Sequence, residues 1–131
     1  AVENKPMPFA LIFFILPIVL HENTRMLLPR RTSKKMHEWL HDHPEVKIQF
    51  ADRVQRLIPY TKESIIFGVG REVLSIEKTG NIKHTSRKLR TPTWIPETEP
   101  ENCRQKAAFL GRWLAISGDS MSIYTLWGVR P

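Results

Sequence analysis

The sequence predicts a mainly helical α+β domain, a winged helix-turn-helix-like unit with a small β-hairpin and extra helices at both ends. Three observations predict it. Apolar residues recur at helical spacing between residues 44 and 73. A Lys78-Thr79-Gly80-Asn81 turn then separates two short apolar runs of strand character. A further helical pattern fills the chain after residue 101. Helix, helix, helix and then hairpin is the order of a winged helix. With 131 residues, about two-fifths of them apolar, the chain is expected to form one domain with its own core.

The most apolar stretch comes first: MPFALIFFILPIVL, from Met7 to Leu20. Its 14 residues include Pro8 and Pro17, so it is too short and too interrupted to span a bilayer. The flank lacks the basic n-region and small-residue cleavage site of a signal peptide. Pro8 suits a helix N-terminus, and the run reads as helix to about His21 with a kink at Pro17. Being apolar on nearly every face, that helix has to be covered all round.

Asn23 or Thr24 is placed to cap a short second helix ending before Pro29, and PRRTSKK follows as an exposed connector. Ser33 is the expected cap of a helix from Lys34 to Asp42, stopped by His43-Pro44. Pro44 restarts a helix in which Val46, Phe50, Val54 and Leu57 recur, with Ile58 beside them. Pro59 is expected to end it, and Thr61 to cap the next, which carries Ile65, Ile66, Val69 and Val73. Gly68 and Gly70 lie inside that helix at about 1 kcal/mol each against Ala, and close approach of another backbone is one reason to keep them.

Leu74 and Ile76 mark the first hairpin strand, and Ile82 opens the second. Residues 85–102 hold three prolines and read as an arm pinned by Trp94 and Ile95. From about Glu101, ENCRQKAAFLGRWLAISG is helical with Ala107, Phe109, Leu110 and Leu114 inward, and Gly118 marks its end. SMSIYTLWGVRP closes the chain with a short apolar helix.

Formal net charge is +7 and the pI is near 9.9, a surplus that favours nucleic acid or an acidic partner. The charge is blocked. Arg25, Arg30, Arg31, Lys34 and Lys35 have no acid among them, nor do Lys78, Lys83, Arg87, Lys88 and Arg90. Of these, Arg25, Arg30, Arg31, Lys34, Lys35, Lys83, Arg87, Lys88 and Arg90 are the candidate contacts. They suit salt-sensitive, sequence-independent phosphate binding or an acidic protein surface, and the sequence leaves both open. The helix from Thr61 to Glu72 offers only Lys62 and Arg71 for reading bases, which points it towards protein. Aromatic residues with arginine favour interface centres, so Phe13, Phe14, Trp113, Trp127 and Arg130 are the candidate protein interface, with closure of the core as the alternative use.

His37-Glu38-Trp39-Leu40-His41 has the H-E-x-x-H spacing with which two imidazoles one turn apart hold zinc and a glutamate activates water. The helix ends about one residue later, no third ligand has a helical context, and little chain remains for a substrate cleft. No phosphate-binding loop or nucleophile turn is present, and Gly68-Val69-Gly70-Arg71 is too short for a dinucleotide fingerprint. The expectation is a protein that is not an enzyme and needs no metal or cofactor. The single cysteine, Cys103, fits a reducing cytoplasm.

PFALIFFILPIVLHENTRMLLPRRTSKKMHEWLHDHPE and GRWLAISGDSMSIYTLWGVRP resemble the middle-component family of bacterial ABC-three-component systems. With the helices and hairpin between them, the resemblance covers nearly the whole chain. It implies an adaptor in anti-phage and anti-plasmid defence of the Lamassu type, encoded between an SMC- or Rad50-like ABC ATPase and a nuclease-type effector. It also implies native residues upstream of Ala1. Non-specific contact with double-stranded DNA is expected alongside, and no membrane. The rival reading from another class is a free-standing winged-helix transcription regulator.

Overall fold

A segment apolar on every side has no face to offer water, and the chain is wound around it. The computed structural model describes residues 7–85 and 95–130. Met7–Pro8 is a short strand, β1, and the apolar run continues as α1 (Phe9–Ile12) and α2 (Ile15–Val19). One kinked helix was expected, but the chain breaks at residues 13–14 instead. Pro17 is the third residue of α2, where its missing N–H forfeits no intrahelical bond. The break turns Leu11, Phe14, Ile18 and Val19 into the core together.

Helix α3 (Glu22–Leu27) is capped by His21 rather than by Asn23 or Thr24. The imidazole Nδ1 accepts from the Thr24 backbone N–H at 3.4 Å and lies 2.7 Å from the Thr24 hydroxyl. Helix α4 (Met36–Asp42) starts after Lys35, two residues later than expected and without the Ser33 cap. A 3-10 turn, Pro44–Lys47, then leads into α5 (Phe50–Gly70).

Helix α5 is the largest departure from the sequence reading. It runs unbroken through Pro59, so the expected turn between two helices at residues 59–61 does not exist. Pro59 lies on the exposed side, and so does Gln55, whose carbonyl loses its helical partner to the ring on a face open to solvent. Val54, Thr61, Ile65 and Gly68 form one inward stripe across the proline. Packing on both sides of Pro59 therefore keeps the helix continuous through it.

The hairpin forms where expected, from β2 (Leu74–Ile76) and β3 (Asn81–His84). Strand β1 adds to it, giving an antiparallel sheet in the order β1-β3-β2 with Met7 opposite Ile82 and Ile76 opposite Ile82 on the other side. A Cβ on Gly68 would lie 2.5 Å from Leu74 Cδ1, so this glycine admits a hairpin side chain rather than another backbone. Helix α6 (Glu99–Ile116) is capped by Thr98, and α7 (Ser120–Trp127) by Asp119, whose carboxylate accepts from the Ser122 N–H at 2.7 Å. Gly118 at φ +124° and Gly128 at φ +73° end the two helices.

The core is an aromatic stack. Phe14 lies 4.6 Å from Tyr124 and 5.3 Å from Phe50, and Trp127 lies 4.6 Å from Phe50 and 5.8 Å from Trp39. Each of the buried aromatic polar tips has a partner. Trp39 Nε1 donates to the Leu27 carbonyl at 2.8 Å, Trp113 Nε1 to the Lys34 carbonyl at 2.7 Å, and Tyr124 Oη to the Ala10 carbonyl. Two of these bonds fasten the ends of the basic connector between α3 and α4.

Trp127→Ala is expected to cost about 3–5 kcal/mol in urea unfolding, because the indole is almost fully enclosed. Burial, and then the charge of Arg53, hold the His21 imidazole below its ordinary value of 6.5. The unfolded chain thus binds this proton more readily than the folded one. The stability from a neutral His21 is complete above pH 6.5 and is lost as pH falls through the folded value. His21→Asn keeps a capping acceptor and is expected to flatten the difference between unfolding at pH 7 and pH 5.

Candidate partner-binding surfaces

The connector between α3 and α4 carries most of the first basic block. Anchored by Trp39 and Trp113, it leaves Arg30, Arg31 and Lys35 exposed. Lys34 is half-buried, its ammonium 3.2 Å from Asp42. The connector, the start of α4, the end of α6 and α7 frame a concavity of about 390 Å³. Lys34, Lys35 and His37 lie on its rim, and Met36, Ile116 and Leu126 supply apolar wall. Lys47 reaches the α7 side, donating to the Leu126 carbonyl at 3.3 Å.

Arg25 is a correction to the sequence reading. It is buried, with Nη1 on the Val19 carbonyl at 2.9 Å, Nε on Asn102 at 2.8 Å and Nη2 on Glu99 at 3.1 Å. All three nitrogens tie α2, α3 and α6 together, and burial keeps the guanidinium from lying open on the surface with its neighbours in the block. Lys83 is exposed on β3, whereas Arg87, Lys88, Arg90 and Trp94 lie outside the described residues. The candidate interface aromatics also divide. Phe14, Trp113 and Trp127 are enclosed in the core, so closure of the core is their role within this chain. Phe13 is half-buried against Phe9, and Arg130 is exposed.

The second half of α5, which the sequence reading pointed towards protein, carries an exposed apolar surface. Tyr60, Ile66, Phe67 and Val69 are all exposed, with Ile66 at 70%. The sequence reading grouped Ile65, Ile66, Val69 and Val73 on a helix starting at Thr61 without separating its inward and outward faces. Continuing the phase from Val54 through Pro59 sends Ile66 and Val69 outward. Arg71 lies over the Phe67 ring, its guanidinium carbon 5.2 Å from the centroid.

A second concavity, of about 650 Å³, opens at the start of α6 and is acidic, with Glu22, Glu97, Glu99 and Glu101 around it. Arg104 hydrogen-bonds Glu101 and holds its carboxyl below the usual carboxylate range. The protein is therefore polarised, acidic at one end of α6 and basic at the other.

With these surfaces placed, comparison with known proteins gives one finding. The family model described as ABC-three component (ABC-3C) system Middle Component 3 matches residues 1–131. The chain belongs to the ABC-3C middle component 3 family. No curated protein and no solved structure matches it.

In this middle component the H-E-x-x-H letters fall on α4 with Trp39 and Leu40 buried and both His37 and His41 exposed. Among the described residues no three His, Cys, Asp or Glu side chains are grouped to hold a metal. Cys103 is half-buried, its sulfur 3.9 Å from the Val19 carbonyl. No helix among the described residues is long and apolar enough to cross a membrane.

Arg25 and Arg31 are expected to behave oppositely despite sharing one basic block. Arg25→Ala removes the shared partner of three elements and is expected to lower stability by about 2–4 kcal/mol. Arg31→Ala is expected to stay within about 0.5 kcal/mol of the parent in urea unfolding.

Proposed function

We propose that this middle component is a non-enzymatic adaptor in a cytoplasmic, Lamassu-type defence complex against phage and plasmids. In this reading it couples the state of an SMC- or Rad50-like ABC ATPase to a nuclease-type effector. The observation that carries the proposal is the outer face of α5. Tyr60, Ile66, Phe67 and Val69 present apolar side chains on a rigid helix that is anchored along its other side. Covering such side chains in a partner is worth roughly 1.5–3 kcal/mol each when burial is complete. An exposed apolar cluster of this kind is what an obligate subunit presents to its neighbour.

A winged-helix regulator can be drawn on the same elements, with α4 and α5 as the helix pair and β2–β3 as the wing. On that drawing α5 would enter the major groove. Its exposed cations are Arg56 and Lys62, beside four exposed large apolar or aromatic residues. Base edges are read by several polar side chains, so this composition supports the adaptor over the regulator. Contact with DNA then belongs to the exposed cations of the connector, and is weak and steeply salt-dependent.

Co-purification from cells expressing the ATPase, this protein and the effector tests the proposal. The three are expected to elute together. The double variant Ile66→Asp, Phe67→Asp is expected to drop out of the complex with its melting temperature unchanged, since both side chains are exposed. Retention of the double variant would remove α5 as the docking face. Elution of the parent protein alone would sink the adaptor.

A further inference from the structure

We infer that the basic concavity beside α4 is a docking site for an acidic segment of a partner protein that carries an apolar anchor side chain. The inference deepens the adaptor reading by giving the chemistry of one partner. Two independent features of the site define the occupant.

The first is charge. Lys35 stands on the rim beside the Asp42-paired Lys34, Arg30 and Arg31 precede them on the connector, and Lys47 reaches the α7 side. Nearby acids are fewer and partly committed. Asp42 pairs with Lys34, and Asp119 caps α7. Glu38 is exposed on α4. The field over the opening is cationic and selects carboxylate-rich sequence.

The second feature is the wall. Ile116 stands at the opening with 62% of its surface exposed, and Leu126 is half-buried beside the enclosed Met36. At about 390 Å³ the space lies near the small end of ligand-binding clefts, room for a large side chain and its flanking backbone. A duplex backbone would use the cations and leave these apolar groups uncovered. An acidic peptide with an embedded leucine or phenylalanine uses both.

The site is also preorganised. Trp113 fixes the Lys34 carbonyl from below, and the Ser117 hydroxyl is held on the Trp113 carbonyl. The connector therefore meets a ligand in one conformation rather than losing loop entropy on binding.

Fluorescence anisotropy with the full chain tests this. The probes are a short labelled Glu-rich peptide with a central Leu-Phe pair, the same peptide with Gln for Glu, the same with Ser for Leu-Phe, and a labelled DNA duplex. The acidic peptide with its anchor is expected to bind tightest and to weaken as salt is raised. Lys35→Glu is expected to weaken it about tenfold, through charge. Ile116→Ser is expected to weaken it about fivefold, through lost burial with charge unchanged. Both residues are exposed, so matching circular dichroism spectra are expected of the variants.

Failure of the acidic peptide to bind, equal binding of the Gln peptide, or indifference to both Ile116→Ser and loss of the anchor would each overturn the inference. Duplex binding that exceeds the peptide's and is lost in Lys35→Glu would reassign the surface to phosphate. Failure of the adaptor reading looks different. There the peptide binds as described, but the protein does not co-purify with the ATPase and effector.

Discussion

Everything in this fold depends on enclosing residues 9–20, a segment that has no polar side. A single straight helix of that composition would need neighbours all round its circumference. The chain instead breaks it into α1 and α2, so that Leu11, Phe14, Ile18 and Val19 point to a common centre. Helices α3, α5 and α6 then pack on α2, while Phe14 meets Phe50 of α5 and Tyr124 and Trp127 of α7. The order of the remaining elements follows from this demand for cover.

Enclosure by aromatic residues brings a second constraint, because a buried indole N–H without a partner costs about as much as a lost hydrogen bond. Trp39 and Trp113 meet it with carbonyls at Leu27 and Lys34, at the two ends of the connector. A segment rich in arginine and lysine is thereby stapled over the core, although its side chains repel one another. Core satisfaction and surface function are one arrangement here: the bonds that relieve the indoles also hold Arg30, Arg31 and Lys35 outward.

Element types were largely legible from the sequence, and phases were not. The hairpin turn at residues 78–81, the α6 pattern and the closing apolar helix stand close to where residue spacing puts them. The misplacements share one cause, which is that local signals were read as decisive where packing outweighs them. Pro59 suggested a helix end, yet the inward stripe of Val54, Thr61 and Ile65 continues past it. Reading a helix end there also lost the continuous phase that carries Val54 on to Ile65. Arg25 shows the same limit for charge. Its sequence neighbours are exposed cations, but beside the nearby Val19 carbonyl, Asn102 and Glu99 await it from α6, and no local pattern announces partners more than seventy residues away.

The polarity of α6 joins the two halves of the functional reading. Glu99 and Glu101 occupy its first turn, where they complement the helix dipole, and the cationic concavity gathers at its last. Elsewhere the protein turns the apolar cluster of α5 outward. An acidic concavity, a cationic concavity and an apolar helix face select different chemistries, so partners bound at them need not compete. If the protein couples its partners as proposed, these separate surfaces have to communicate through the fold. A displacement of α5 would be felt at α2 and α6, which share its core, and through Trp113 at the connector beside the proposed second docking site. Coupling would then travel through packed aromatic rings rather than through a flexible hinge, as a rigid adaptor requires.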